Sequence, residues 1–433
     1  MTRADVILWG RRIGAVLWDD RRQIATFEYV PAFTRSGIEV APLTMPLRTG
    51  VFEFPALPHD TFKGLPGLLA DSLPDKFGNL LIDRWLTEQG RKPGDMDPVE
   101  RLCYTGRRGM GALEFEPSGA APAGRGRALR IDALVALADR ITSSRLEMKG
   151  HLTGDDDRTV MQDILRVGTS AGGARAKAIL AWNPQTGQFR SGQLDLPDGF
   201  EHWLLKFDGV SENADKEVAD PQGYGRLEYA CYRLAVDAGI KMSECRLHHE
   251  GGRAHFMTRR FDRTSGGGKL HMQSLCAMRH FDYKQARAYA YEQAIETLRL
   301  LGLGPASIEQ MVRRALLNIV IRNQDDHVKN IAFLMDKAGN WSLAPAFDVV
   351  YAYNPDGDWT SQHQMSLAGK TADFTMDDLV AFGRYGDIKP ARLRAMLDDI
   401  LQSVARWDDY AGEAGVPDDL ARRARNGFRL TFE

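Results

Sequence analysis

The stretch DDHVKNIAFLMDKAGNWSLAPAFD, from Asp325 to Asp348, decides the fold. Asp325 stands five positions before Asn330. Apolar IAFLM, the turn residues DKAGN and then WSLA read as a β-hairpin, which Asp348 closes. Such a hairpin folds the chain back and aims a carboxylate, an amide and a second carboxylate at one cleft. Phosphoryl transfer needs that order of groups: one carboxylate takes the proton from a hydroxyl, while an amide oxygen and another carboxylate hold magnesium against nucleotide phosphates. The plainer reading is a solvated loop between a helix and a strand, because Asp and Asn are common turn residues. A metal-dependent hydrolase would want more histidines at ligand spacing; this chain has ten, with no H-x-x-x-H pair nearby.

Composition sets the frame. The 433 residues suffice for two or three domains. Apolar residues make up 43% and charged residues 26%, which suits a globular chain with an ordinary core. A net charge of −2 carries no general nucleic-acid or membrane signal. The basic stretch RRARNGFR near the end reads as a solvated helix end. Cys103, Cys231, Cys245 and Cys276 are scattered without a C-x-x-C, so buried thiols in a reducing compartment fit better than zinc or disulfides. No segment approaches the roughly 20 apolar residues of a membrane span. The first residues, MTRADVILWGRRIG, lack a signal-peptide pattern, so a cytoplasmic location is expected.

Outward from the hairpin, residues 1–118 read as a β-rich domain: VILWGRRIGAVLWDD as strand, turn and strand, then IATFEYV, with Ala25, Phe27 and Tyr29 facing one way. A helix follows, with Leu80, Leu81, Arg84 and Trp85 suggesting its face. The Pro/Gly/Ala-rich 117–128 reads as a linker, followed by a helix with Ile131, Leu134, Val135 and Ala138 on one side, so 119–159 forms a connection ending in the exposed loop HLTGDDDRT. Residues 160–262 read as strand DILRVG, glycine loop TSAGGARA, strand KAILAWN, strand EHWLLKFD and a helix over YGRLEYACYRLAVDAGI that stops at Gly239. Residues 263–433 are mainly helical around the hairpin. No internal repeat is visible. The expected fold is α+β: a bilobal, protein-kinase-like body with a β-rich N-lobe and a helical C-lobe, preceded by a small β-rich domain.

The glycine loop lacks the Gly-Lys-Ser/Thr ending of a Walker loop and is not followed by a helix. A glycine loop between strands is the kinase arrangement, where backbone N–H groups cover phosphates. A plain hairpin turn is the alternative. Lys177, just past the glycines, either reaches a phosphate or lies exposed on its strand. Lys206 interrupts the apolar run Trp203, Leu204, Leu205 and Phe207. A lysine there is either an edge residue pointing to water or a phosphate-contacting group held by an acid. Glu228, on the next helix, is the candidate acid.

The stretches WGRRIGAVLWD, MPLR, GLPGLLADSLPD, TSAGGARAKAIL, HWLLKFD, EYACYRLAVDAGI, RRFDR, NQDDHVKNIAF, LAPAFDVV and HQMSLAGK together resemble the HipA family of bacterial toxin–antitoxin serine/threonine kinases. The resemblance spans nearly the whole chain. It implies Asp325 as the catalytic aspartate and Asn330 and Asp348 as magnesium ligands. It implies Lys206 as the ATP-phosphate lysine, and a nucleotide-binding loop of Gly172, Gly173, Ala174, Arg175, Ala176 and Lys177. His327 and Lys329 join the nucleotide-binding set, and Arg259 to Phe261 match the hinge that receives adenine. Ser170 matches a serine that relatives autophosphorylate to switch themselves off; a phosphate there adds roughly two negative charges where ATP phosphates must lie. The implied cofactors are ATP and Mg2+. The implied partners are a HipB-like helix-turn-helix antitoxin, operator DNA bound mainly through it, and a protein substrate in translation such as an aminoacyl-tRNA synthetase.

Three positions depart from the family pattern. Asp326 stands where Gly is frequent, and an extra carboxylate could attract a second cation or act on Asp325 by like charge. Arg259 stands where Glu is frequent, which would leave adenine recognition to backbone groups. Ala176 stands where Glu is frequent. Two other functions fit the same residues: a catalytically weak corepressor scaffold for the antitoxin, and a small-molecule or lipid kinase, whose D-x-H-x-x-N loop is similar.

Overall fold

The computed structural model describes residues 1–117, 129–143, 161, 163–165, 167–168, 175–192, 196, 198–210, 222–264 and 266–433. Strands β1 (Arg3–Leu8), β2 (Arg11–Asp19), β3 (Ile24–Tyr29), β4 (Val51–Phe52) and β5 (Leu113–Glu116) form an antiparallel sheet in the order β4-β3-β2-β1-β5. Its inner face carries Val6, Leu8, Val16, Trp18, Ala25, Phe27 and Tyr29. Thr26 and Glu28 alternate outward, as a half-buried strand requires.

Two helices follow this sheet and part company. The helix α2 (Pro98–Thr105), held by an Asp97–Glu100 capping box, buries Val99, Leu102 and Cys103 in the first core. The helix before it, α1 (Lys76–Glu88), turns away and packs on a second sheet through Phe77, Leu81, Ile82 and Leu86. That face is rotated from the one the sequence suggested: Leu80, Arg84 and Trp85 are only half-buried.

The second sheet, β7-β6-β8-β10-β9, is antiparallel throughout. Its strands are β6 (Lys177–Trp182), β7 (Phe189–Ser191), β8 (Glu201–Lys206), β9 (Cys245–Glu250) and β10 (Arg253–Arg259). Its core also receives α3 (Ile131–Ser143) through Ile131, Leu134, Val135 and Ala138. The expected strand DILRVG is instead helical at 163–165 and 167–168. The physical reason lies in the spacing: Met161, Ile164 and Leu165 recur at i, i+3 and i+4 and are all buried in this core. The chain therefore enters the glycine loop from a helical segment, not from a strand. The linker 118–128, the loop HLTGDDDRT and the glycines themselves lie outside the described residues.

The helix α4 (Tyr224–Asp237) crosses the sheet with Leu227, Glu228, Cys231, Leu234 and Ala235 buried; Gly239, at φ 81°, follows its end in a left-handed conformation. The C-lobe comprises α5 (Tyr291–Leu300), α6 (Pro305–Val320), α7 (Met376–Tyr385), α8 (Pro390–Ala405), α9 (Trp407–Ala414) and α10 (Asp418–Gly427), which share the largest core. Arg422, Arg423 and Arg425 of the basic stretch are exposed on α10. A three-stranded sheet joins β11 (His271–Ser274) to the hairpin of β13 (Ala332–Met335) and β14 (Trp341–Leu343), and between them in sequence β12 (Tyr289–Ala290) pairs in parallel with β15 (Met365–Ser366). The hairpin pairs Phe333 with Leu343 and Met335 with Trp341, and Asp336 Oδ1 accepts the N–H groups of Ala338 and Asn340 in the turn. The fold is thus two-lobed and protein-kinase-like, with a β-rich domain in front. The four cysteines are buried and free. Among the described residues, no helix is long and apolar enough to cross a membrane.

Candidate phosphoryl-transfer site

The loop after α6 carries the first group of candidates. Arg322, at φ 48°, breaks the helix and starts the descent toward Asp325. A single 3-10 turn, Val328–Asn330, returns the chain to β13. Asn330 Nδ2 donates to the Asp325 carbonyl at 2.8 Å and so clips the loop shut across five residues. The Asp325 side chain is 47% exposed, with the Trp359 indole N–H donating to its Oδ1 at 2.7 Å and His327 Nε2 at 3.8 Å. Trp359 carried no signal in the sequence; it sits in the irregular segment between Asp348 and α7.

Asp326 does not join its neighbour. Its carboxylate is buried beneath the loop, where it accepts the Tyr291 hydroxyl at 2.7 Å and the Gln364 N–H at 2.8 Å, with His363 Nδ1 at 2.9 Å. A second-cation role does not fit it, because both of its oxygens are already hydrogen-bonded to Tyr291, His363 and Gln364. The same network runs on from Tyr291 to Asn318 (2.9 Å), to Asn323 (3.0 Å) and to the Asp348 carbonyl (3.1 Å). The loop and the second aspartate are therefore hydrogen-bonded through the C-lobe core. Asn323, Asp326, His327, Asn330 and Asp348 line one cavity.

Lys206 ends β8 and points into the cleft from above. Its Nζ donates to Glu228 Oε1 at 2.6 Å and also to Asp348 Oδ1. The strand–helix pair expected from sequence is present, with the Asp348 carboxylate added. Burial alone would lower Lys206, but Asp348 and Glu228 outweigh it and hold the ammonium above its ordinary value. Burial would raise Asp348, yet Lys206, and then Lys177, pull it below the usual carboxylate range. Asp348 adopts φ 53°, a conformation uncommon outside glycine. Arg175 reaches the other Glu228 oxygen at 3.1 Å and lies 3.9 Å over the Tyr224 ring, so its guanidinium is seated on α4.

Lys177 is neither exposed nor in the bonding set of Lys206. It is 3% exposed, with Nζ 3.4 Å from Asp75 Oδ2. Asp75 N-caps α1, its Oδ1 accepting the Gly78 N–H at 2.6 Å. The sequence signal for that role was legible as Asp before a helical run, but not its partner 102 residues away (177 − 75). Lys329, in the 3-10 turn between Asp325 and β13, lies 5.1 Å over the Tyr283 ring. Burial would lower it; Asp71 first, with Tyr283, Cys276 and Asp75 behind it, holds it higher. Asp71 accepts both the Ser274 N–H (2.6 Å) and its hydroxyl (2.8 Å).

Arg259, where the expected hinge begins, ends β10. The Arg259 N–H donates to the Glu244 carbonyl at 2.8 Å, and its carbonyl accepts the Ser243 hydroxyl at 2.6 Å. Its backbone groups are thus already committed, while its side chain pairs with Glu201 at 3.2 Å and Glu244 at 3.6 Å. Phe261 packs on Phe347 with ring centroids 5.6 Å apart. Ser170, Gly172, Gly173 and Ala174 lie outside the described residues.

The family model described as the HipA N-terminal domain matches residues 4–116, and that described as the HipA-like C-terminal domain matches residues 169–407. A relative called putative kinase Y4mE, from Sinorhizobium fredii (strain NBRC 101917 / NGR234), is 24% identical over 231 residues. That match covers 51% of this chain and 44% of the relative, so the chain spans less than half of that protein's length. The HipA chain of a Shewanella oneidensis MR-1 complex with HipB and operator DNA superposes with a TM-score of 0.66 at 18% identity. That superposition covers 98% of this chain and 95% of the other, and it shows a shared fold. With both modules matched in order, and the C-terminal one alone spanning over half the chain, this protein belongs to the HipA family.

Proposed function

We propose that this chain is the toxin of a toxin–antitoxin pair and acts as an ATP- and magnesium-dependent serine/threonine protein kinase. One observation carries the reading. Lys206 is bonded to both Glu228 and Asp348, above the loop that presents Asp325 and Asn330. In protein kinases a strand lysine paired with a helical glutamate holds the nucleotide phosphates, and a nearby aspartate holds magnesium.

The residues fit the implied ion. Asn330 is anchored through its nitrogen, so its amide oxygen is the end left to coordinate, and Asp348 lines the same cavity. Hard oxygen donors in small number suit magnesium, which keeps waters and phosphate oxygens as its other ligands. Bound there, the ion would neutralise phosphate charge. Lys206 positions the phosphates. Asp325 accepts the proton as the substrate hydroxyl oxygen bonds to the γ-phosphorus and the bond to the ADP oxygen breaks.

Membership in the HipA family supports a helix-turn-helix antitoxin as partner, operator DNA held mainly through it, and a protein substrate in translation such as an aminoacyl-tRNA synthetase. The corepressor scaffold is the weaker reading, because a scaffold has no need of Lys206, Glu228 and Asp348 kept in mutual contact. Labelled ATP with magnesium tests the chemistry. The parent chain should acquire label at Ser170, and Asp325→Asn should lose about a hundredfold or more of that rate. Equal labelling of both proteins would sink the assignment of Asp325.

A further inference from the structure

The turn from Asp71 to Asp75 belongs to the N-terminal module, yet it lies against both loops of the candidate site. Asp75 Oδ1 caps α1, and its Oδ2, buried, lies 3.4 Å from Lys177 Nζ. Lys177 is the first residue of β6, at the exit of the glycine loop. The entrance rests on the same helix: a Cβ placed on Gly168 would come within 2.7 Å of Leu81 Cδ1 and 3.2 Å of Phe77 Cε1, both on α1. The two ends of the loop are therefore fastened to one helix, and the cap of that helix supplies the charge.

Electrostatics give this contact a purpose. Lys177 stands directly opposite Lys206 in the β6–β8 register. Two ammonium groups in cross-strand contact repel each other unless each has its own acid. Lys206 has Glu228 and Asp348, and Lys177 has Asp75. Asp348 also attracts Lys177 across the cleft. Without Asp75, that attraction would draw Lys177 into competition with Lys206 for the aspartate assigned to magnesium. Burial raises Asp75 to about 6, against Lys177 and the Gly78 N–H, and burial likewise lowers Lys177. Neither group is comfortable alone, so loss of one is felt by the other.

We propose that Asp75 is a positioning residue for phosphoryl transfer. It holds Lys177 against the N-terminal module, which fixes the root of the glycine loop and leaves Asp348 to Lys206. This rests on the kinase reading for its consequence and on geometry alone for the latch. A pull on the N-terminal module, as by a bound partner, would then reach the nucleotide through one ion pair.

The test uses the full chain. Asp75→Asn keeps a good N-cap but removes the charge. A non-hydrolysable ATP analogue with magnesium should bind about tenfold more weakly to it, within the usual range of site-to-site coupling. Backbone hydrogen exchange over residues 175–182 should quicken with no nucleotide present. Adding Lys177→Met to Asp75→Asn should recover most of the lost affinity, because the stray cation is gone. A merely structural aspartate would give no such rescue. Should Asp75→Asn fail to fold, Asp75→Ser retains the cap and takes its place. Unchanged affinity and exchange in the single variant, or a double variant that binds as weakly as the single, overturns the proposal. If the parent binds no nucleotide while Asp75→Asn still exchanges faster over 175–182, the latch stands and the kinase reading falls. If exchange is also unchanged, both fall.

Discussion

Lys206 lies between two carboxylates, Glu228 and Asp348, whereas Asp262 lies between two guanidiniums, those of Arg260 and Arg263. Both are buried charges with two opposite partners, and there the likeness ends. Asp262 is fully buried and accepts four N–H groups: Arg260 Nε at 2.9 Å and Nη2 at 2.6 Å, Arg263 Nη1 at 2.7 Å, and the Gly111 backbone at 2.7 Å. The two arginines reach on to the Gly109 and Gly111 carbonyls at 3.2 and 3.1 Å. Three of these donors converge on Oδ2 and one on Oδ1, so both carboxylate oxygens are engaged. This cluster rivets the turn after β10 to the turn before β5. In the cleft, by contrast, Glu228 is shared by Lys206 and Arg175, and Asp348 keeps 30% of its side chain open. A carboxylate with an open face is what a metal–nucleotide complex can reach. A closed cluster can only hold.

The sharpest way to break this comparison is to remove the rivet's centre. Asp262→Ala would leave two buried guanidiniums facing each other and should cost about 4 kcal/mol of stability. Urea unfolding of the two proteins measures it. The same change should leave nucleotide affinity of the still-folded fraction untouched, since no group of the cleft contacts Asp262. A loss under about 1 kcal/mol would mean that the junction is wetter than its burial suggests.

The two clusters also differed in how far the sequence betrayed them. Lys206 and Glu228 were legible because a charge in an apolar strand asks for a partner, and the next helix offers one 22 residues on. The closeness of Asn330 and Asp348 was legible because a short hairpin fixes their relation locally. Asp75 and Lys177 were not, because nothing local ties residues from two modules, and the pairing depends on where α1 packs. The strand read over DILRVG failed for a different reason: a short apolar run does not separate a period of 2 from one of 3.6 without its neighbours. Asp326 was read as facing the cleft because sequence adjacency says nothing about which side of an irregular loop a side chain takes. The order of β-rich domain, β-rich lobe and helical lobe was legible throughout, because it rests on long periodic segments.

Acid provides a second separation of holding from binding groups. His271 is fully buried beside Val40 of the N-terminal module, its Nε2 3.0 Å from that carbonyl, and burial lowers it to about 4. The unfolded chain binds a proton there near 6.5, the folded chain only near 4. Stability is therefore lost as pH falls from 6.5 toward 4, by about 3 kcal/mol for this one group. Asp348 and Asp262, both held low by cations once burial is overcome, keep their contributions through that window and lose them only below the ordinary carboxylate value. Urea midpoints should thus fall between pH 6.5 and 4, before either charge cluster titrates. A flat profile down to pH 4.5 would contradict the neutral, buried state of His271.

The finest test lies at Trp359, whose indole N–H is bonded to the oxygen of Asp325 that faces it. A carboxylate tied at one oxygen is turned so that the other meets the incoming hydroxyl, and misorientation of a base slows chemistry without weakening nucleotide binding. Trp359→Phe keeps most of the ring and deletes the donor. We expect kcat to fall about tenfold, the value of one lost hydrogen bond to a charged group, with KM for ATP within about twofold of the parent. The urea midpoint should barely move, because the donor lies at a half-exposed edge rather than in the core. That split places Trp359 with the cleft, where bonds orient, and not with the Asp262 cluster, where bonds fasten. The reverse result, a large loss of stability at unchanged kcat, would put Trp359 on the fastening side and leave Asp325 without a residue to aim it.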